Sequence, residues 1–117
     1  MNNLAQTLYA QGDLAGARQL QERVLEAMAR LLGQEHPDTL TSMNNLAQTM
    51  KAQGDLTRAR QLQEQVLEAM ARLLGQEHPN TLTSMLNLAQ MLQAEGDLAG
   101  AERLYRLALE GRKRVLG

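Results

Sequence analysis

The chain has 117 residues, a formal charge of −1 from 12 Lys+Arg against 13 Asp+Glu, no cysteine, and Tyr9 and Tyr105 as its only aromatic side chains. These figures exclude disulfides and thiol chemistry, and they supply neither the basic stripe nor the stacking platform that nucleic acid requires. No run approaches the ~18 apolar residues of a membrane span, and the N-terminus lacks the pattern of a signal peptide. The expectation is a cytoplasmic helical protein with no cofactor, no nucleic-acid partner and no membrane partner.

Taken in chain order, the first apolar segment breaks at Gly12-Asp13, which predicts a short helix over 2–11. Glycine tolerates the positive φ that closes a helix, and aspartate caps the next one. A second helix is predicted over 14–32, ending at Gly33, with Ala17, Leu20, Val24, Met28 and Leu31 on one stripe widened by Leu25 and Leu32. His36-Pro37 then opens a helix over 37–53, because proline suits the first helical turn and pushes the preceding residue out of the α region. Leu40, Met43, Ala47 and Met50 make its apolar face. The same punctuation repeats at Gly54-Asp55, Gly75, His78-Pro79 and Gly96-Asp97, predicting helices over 56–74, 79–95 and 98–116.

The period is 42 residues: residues 1–42 and 43–84 differ at only six positions, and 85–117 form a partial third copy. A repeat of this length predicts a solenoid, each unit burying its apolar face only against its neighbours. The expected fold is therefore all-α: a single domain, 1–117, of about two and a half antiparallel helix pairs, six helices with the first shortened. In each pair the leading helix A is nearly uncharged, whereas helix B carries Arg18, Glu22, Glu26, Arg30 and their copies. Glu26–Arg30 and Glu68–Arg72 are i,i+4 pairs in the favourable order, contributing about 0.3 kcal/mol each.

Over its whole length the sequence resembles the tetratricopeptide repeat family. The resemblance rests on Asn-Leu-Ala in helix A, Gly-Asp-Leu at the turn, and Ala17, Ala59 and Ala101 in helix B. The passages Leu32–Ala47 and Leu74–Ala89 resemble the 42-residue variety of kinesin light chains and of bacterial signalling proteins. Departures are a repeat longer than the usual ~34 residues, and Gln21 and Gln63 where helix B ordinarily has an aromatic, restored only at Tyr105. The resemblance implies a non-catalytic interaction scaffold with helix A on the concave side, its amides holding an extended peptide. The residues placed there are Asn2, Asn3, Gln6, Tyr9, Asn44, Asn45, Gln48, Lys51, Asn87, Gln90 and Gln93. Carboxamides both donate and accept, so they suit a peptide main chain; the competing reading is that they are solvated, or bonded to the adjacent helix. Selectivity would fall to Tyr9, Lys51 and Gln93, which occupy one register position in the three copies.

Other candidate chemistry is weaker. His36 and His78 lie one repeat apart, about 10 Å or more in a solenoid, and read as helix-start residues, not metal ligands. Glu22 with Glu26 belongs to a charged helix face, not an acid–base pair. Ser42 and Ser84 have no sequence-local partner, and no phosphate-binding motif is present, so neither enzyme activity nor a cofactor is expected. The methionines, among them Met28, Met43, Met50, Met70, Met85 and Met91, read as adaptable core. In the third copy Leu104, Tyr105, Leu107, Ala108 and Leu109 make helix B more apolar, an expected self-association surface for a homodimer or a domain swap. A piece of a longer array and an array assembled from a consensus unit both fit the repetition.

Overall fold

The computed structural model describes residues 2–116 in backbone and 4–114 in side chain. Six α-helices, and no strand among the described residues, follow in order: α1 (Asn2–Ala10), α2 (Leu14–Leu32), α3 (Pro37–Ala52), α4 (Leu56–Leu74), α5 (Pro79–Ala94) and α6 (Leu98–Leu116). The class is the all-α helical-repeat solenoid built from antiparallel helix pairs. The helices group into two compact units, residues 1–59 and 60–117. In the first, α1 packs on α2 and α2 on α3; in the second, α5 packs on α6.

The turns show why the sequence folds this way. Asp13 serves two helices at once: its N–H donates to Leu8 O at 2.8 Å, closing α1, and its Oδ1 accepts from Gly16 N at 2.9 Å, opening α2. Gly12, at φ +84, supplies the left-handed step between these bonds. Asp97 repeats both bonds, to Leu92 O at 2.8 Å and from Gly100 N at 3.0 Å. At the other kind of turn, His36 has extended backbone (φ −68, ψ 139), and its Nδ1 accepts from Asp38 N at 3.1 Å. His78 does the same for Asn80 N, also at 3.1 Å. Each imidazole thus caps a helix with an unprotonated Nδ1, a role in which Asn or Asp is more usual.

In the first unit the core is Ala17, Val24, Leu40, Met43, Leu46, Ala47 and Met50; in the second, Leu82, Leu88, Ala89, Met91, Ala101 and Ala108 are buried. Met28, Met70 and Met85 are half-buried. The predicted stripe of α2 is corrected at three places, Leu32 at 45% exposed being one. Leu31 is 82% exposed, because the last turn and residues 30–35 have no element covering them. Gln21, by contrast, lies between Ala17 and Val24 on the buried stripe and is only 8% exposed.

One basic residue links α2, and another α4, to the turn after the following helix. Arg18 Nη1 donates to Gln53 Oε1 at 3.0 Å and reaches Asp55 Oδ2 at 3.3 Å, inside the first unit. In the second unit Arg60, one period later, reaches Glu95 Oε1 at 2.8 Å and Glu64 Oε1 at 3.0 Å. The third copy has Glu102 at this register, paired instead with Arg106 one turn along its own helix. The predicted Glu26–Arg30 and Glu68–Arg72 pairs form at 3.9 and 3.0 Å.

Candidate functional site

Helix A does not present its amides as one uniform row. In the first unit, Gln6 and Tyr9 of α1 face Asn45, Gln48 and Thr49 of α3 across a pocket of about 170 Å³. These side chains meet because each pair is spaced i,i+3 or i,i+4 along one helix face. Gln6 and Tyr9 are exposed, Asn45 and Gln48 half-buried. Thr49 is buried and donates its hydroxyl to Asn45 O at 3.3 Å. The sixth lining residue is Gln21 of α2, whose Oε1 is buried with no hydrogen-bond partner among the described residues. Among the described residues no charged side chain lines this pocket. Gln21 is the residue that sequence reasoning missed as a site. Its signal was present: an amide at i+4 from Ala17 and i−3 from Val24 stands on an apolar stripe.

The remaining predicted concave residues divide. Asn44, Lys51 and Asn87 are half-buried and Gln90 is exposed, outside this pocket. Gln93 is exposed, and its Oε1 accepts from Tyr105 Oη at 3.2 Å, so this amide bonds to the adjacent helix, the alternative raised for such residues. The side chains of Asn2 and Asn3 lie outside the described residues.

In the second unit a larger groove, about 480 Å³, runs between α5 and α6. Leu82, Leu86, Tyr105, Ala108 and Leu109 give it an apolar lining, and Arg112 stands at its edge. Of the predicted association residues, Tyr105, Leu107 and Leu109 are exposed (37%, 43% and 55%), whereas Leu104 is half-buried and Ala108 is buried. Ala108 therefore contributes to the groove wall without offering surface of its own. Gly111 allows the close approach beneath: a Cβ there would lie 2.7 Å from Leu82 Cδ2, and the earlier copies have Ala27 and Ala69 at this register.

The hydroxyls and acids weighed as chemistry serve the fold. Ser84 donates to Asn80 O at 3.1 Å, and Ser42 to Met28 Sδ at 3.0 Å. Thr41 and Thr83 donate to Pro37 O and Pro79 O, each at 3.0 Å. Among the described residues no three His, Cys, Asp or Glu side chains converge as a metal site. No described helix is long and apolar enough to cross a membrane.

Antiparallel helix pairs on a 42-residue period, turned by Gly-Asp and started by His-Pro, define a helical-repeat protein. The sequence profile of the tetratricopeptide repeat matches residues 1–71 and 50–114, and the chain belongs to that family. Repeats of this family generally mediate protein–protein interaction, as scaffolds without catalysis. Two crystal structures of a Podosopora anserina protein, described as a kinesin light chain with nearly identical TPR-like repeats, are similar at 33% identity. One, of a substituted form of that protein, covers 98% of this chain and 54% of its own, with a TM-score of 0.90. The other covers 97% and 54%, with a TM-score of 0.89. BtubC (BKLC) from P. vanneervenii matches at 25% identity over 95% of this chain and 44% of its own, with a TM-score of 0.87. The chain thus spans about half the length of these structures. A search of the curated proteins finds no match.

Proposed function

We propose that this chain is a non-catalytic scaffold that binds an extended peptide segment on its helix A surface. The observation that carries the reading is the uncharged, amide-rich pocket between α1 and α3, with Gln6, Asn45 and Gln48 beside Tyr9. Amides of this kind bond to main-chain N–H and C=O without demanding a particular sequence. An extended strand satisfied along its backbone is a recognised mode of peptide capture. A clamp for a peptide's terminal carboxylate would need several cations on helix A, and Lys51 is the one Lys or Arg in the predicted helix A segments. The test is a random extended-peptide library panned on the protein, with binders measured by calorimetry against Asn45→Ala/Gln48→Ala. Loss of about two hydrogen bonds should weaken a binder by tenfold or more, roughly 1–3 kcal/mol. A library that yields no binder, or binders indifferent to both substitutions, refutes the reading.

A second reading has its own observation. The exposed Tyr105, Leu107 and Leu109 beside the apolar α5–α6 groove favour self-association through α6. Light scattering across a hundredfold concentration range checks it. A mass that rises with concentration, and stays monomeric in Leu107→Glu/Leu109→Lys, supports it; a constant monomer mass sinks it.

A further inference from the structure

The pocket between α1 and α3 carries a more specific feature than an amide-rich rim. Gln21 reaches the pocket from α2 and is more than nine-tenths buried, with its Oε1 unpartnered among the described residues. A buried acceptor left unpaired is costly, and native structures leave very few. The third copy has Tyr105 at the same register, and Tyr105 is paired to Gln93. The second copy keeps a buried glutamine there, Gln63, so the register accepts an amide or an aromatic, and what singles out Gln21 is the pocket it lines with Gln6, Asn45 and Gln48. We propose that this pocket is a subsite for a neutral carboxamide, the side chain of an asparagine or glutamine in a bound peptide, read by Gln21. The inference rests on the peptide-scaffold reading above and adds the identity of the group that enters.

The lining chooses among occupants. A cation or a carboxylate would find no counter-charge among the described residues that line it, Gln6, Tyr9, Gln21, Asn45, Gln48 and Thr49. An aliphatic side chain would leave the Gln21 oxygen unpaired. A carboxamide donates N–H to that oxygen and accepts from the amide and hydroxyl donors of Gln48, Asn45 and Tyr9. The space of about 170 Å³ equals nearly six waters at ~30 Å³ each, enough for the amide and its methylene stem. A serine hydroxyl would fill little of it. The Gln21 oxygen is nearly sealed, but the terminal torsion of glutamine is broad, and a modest turn of the amide brings it to the incoming donor.

The test uses N-acetylglutamine N-methylamide and its asparagine, glutamate, methionine and serine counterparts. Each is titrated into the ¹⁵N-labelled full chain, and the Gln21 side-chain amide resonance is followed. Gln21→Met, which keeps the side-chain volume, identifies that resonance by its loss. The expected result is a saturable shift with the glutamine or asparagine probe, and binding about fivefold or more weaker for the other three. In Gln21→Met the methionine probe should bind no worse than the glutamine probe. Equal response to all five probes, no response at the solubility limit, or a carboxamide preference that survives Gln21→Met overturns the proposal. Should that variant fail to fold, the wild-type probe series decides alone. The two readings separate cleanly. Library peptides that bind without Asn or Gln enrichment leave the scaffold standing and remove the subsite. A carboxamide-selective probe response with no peptide binder does the reverse.

Discussion

Thr39 and Thr81 occupy the same position of two nearly identical repeats, yet their hydroxyls differ. Thr81 Oγ1 donates to Gly75 O at 2.7 Å, tying the first turn of α5 back to the end of α4. Thr39 is equally buried, 1% exposed against 0%, but its Oγ1 has no partner among the described residues. Replacing each with valine keeps shape and volume and removes only the hydroxyl. For Thr81→Val the loss should be about 1 kcal/mol, at the low end because Gly75 O also accepts from His78 N at 3.4 Å. For Thr39→Val the removed group is an unsatisfied buried polar atom, so stability should rise by about 1 kcal/mol or more. The two variants should therefore stand about 2 kcal/mol apart, with opposite signs. Denatured-state effects nearly cancel, since the sequences around the two sites are almost the same. Urea unfolding followed by circular dichroism, fitted with a nearest-neighbour repeat scheme, reads the difference. Equal destabilisation by both variants would refute the reasoning, because it would mean that both hydroxyls make the same bond in solution.

Three further outcomes are expected. Arg60→Ala removes the links to Glu95 and Glu64, partly shielded at 28% and 22% exposure for the Arg60–Glu95 pair. It should cost about 1 kcal/mol, and a double-mutant cycle with Glu95→Gln should recover a coupling that shrinks in high salt. His78→Ala deletes the Nδ1 cap on Asn80 N and should cost about 1 kcal/mol, with faster hydrogen exchange at Asn80; His78→Asp should retain the protection. Gly33→Ala meets no atom within 4 Å, so any loss comes from the φ of +94 alone. That loss should be about 1 kcal/mol by thermal unfolding, smaller for Gly33→Asn.

The helix boundaries were legible because the chain punctuates itself. Gly-Asp and His-Pro each impose a backbone state on one or two residues, whatever surrounds them. The small differences, α1, α3 and α5 ending one residue earlier than predicted, fall at helix ends where the last residue keeps a helical bond without continuing the helix. Gln53, for example, still donates to Thr49 O at 3.0 Å with φ −80 and ψ −7. What was not legible depended on neighbours. Gln21 stands on the apolar stripe in the sequence, but only the approach of α1 and α3 turns it into a pocket lining. Leu31 reads as stripe because its spacing is right, but nothing covers that turn. Gln93 reads as a groove residue until Tyr105 is seen to reach it. Arg18 and Arg60 read only as part of a charged helix face, and their reach to Gln53 and Glu95 spans 35 residues. No local pattern encodes such a distance.

That reach bears on how such an array changes length. Each arginine and the acceptor it grips sit on opposite sides of a copy boundary, at the same offset. Unequal crossing-over between the two near-identical copies, in steps of 42 residues, therefore adds or removes a whole plug together with a whole socket. Breakpoints anywhere within the matched register leave every junction complete, so the gene can lengthen or shorten the surface without a compensating substitution. A shift by any other number of codons strands an arginine opposite the wrong turn, which makes the period itself the unit that selection can count.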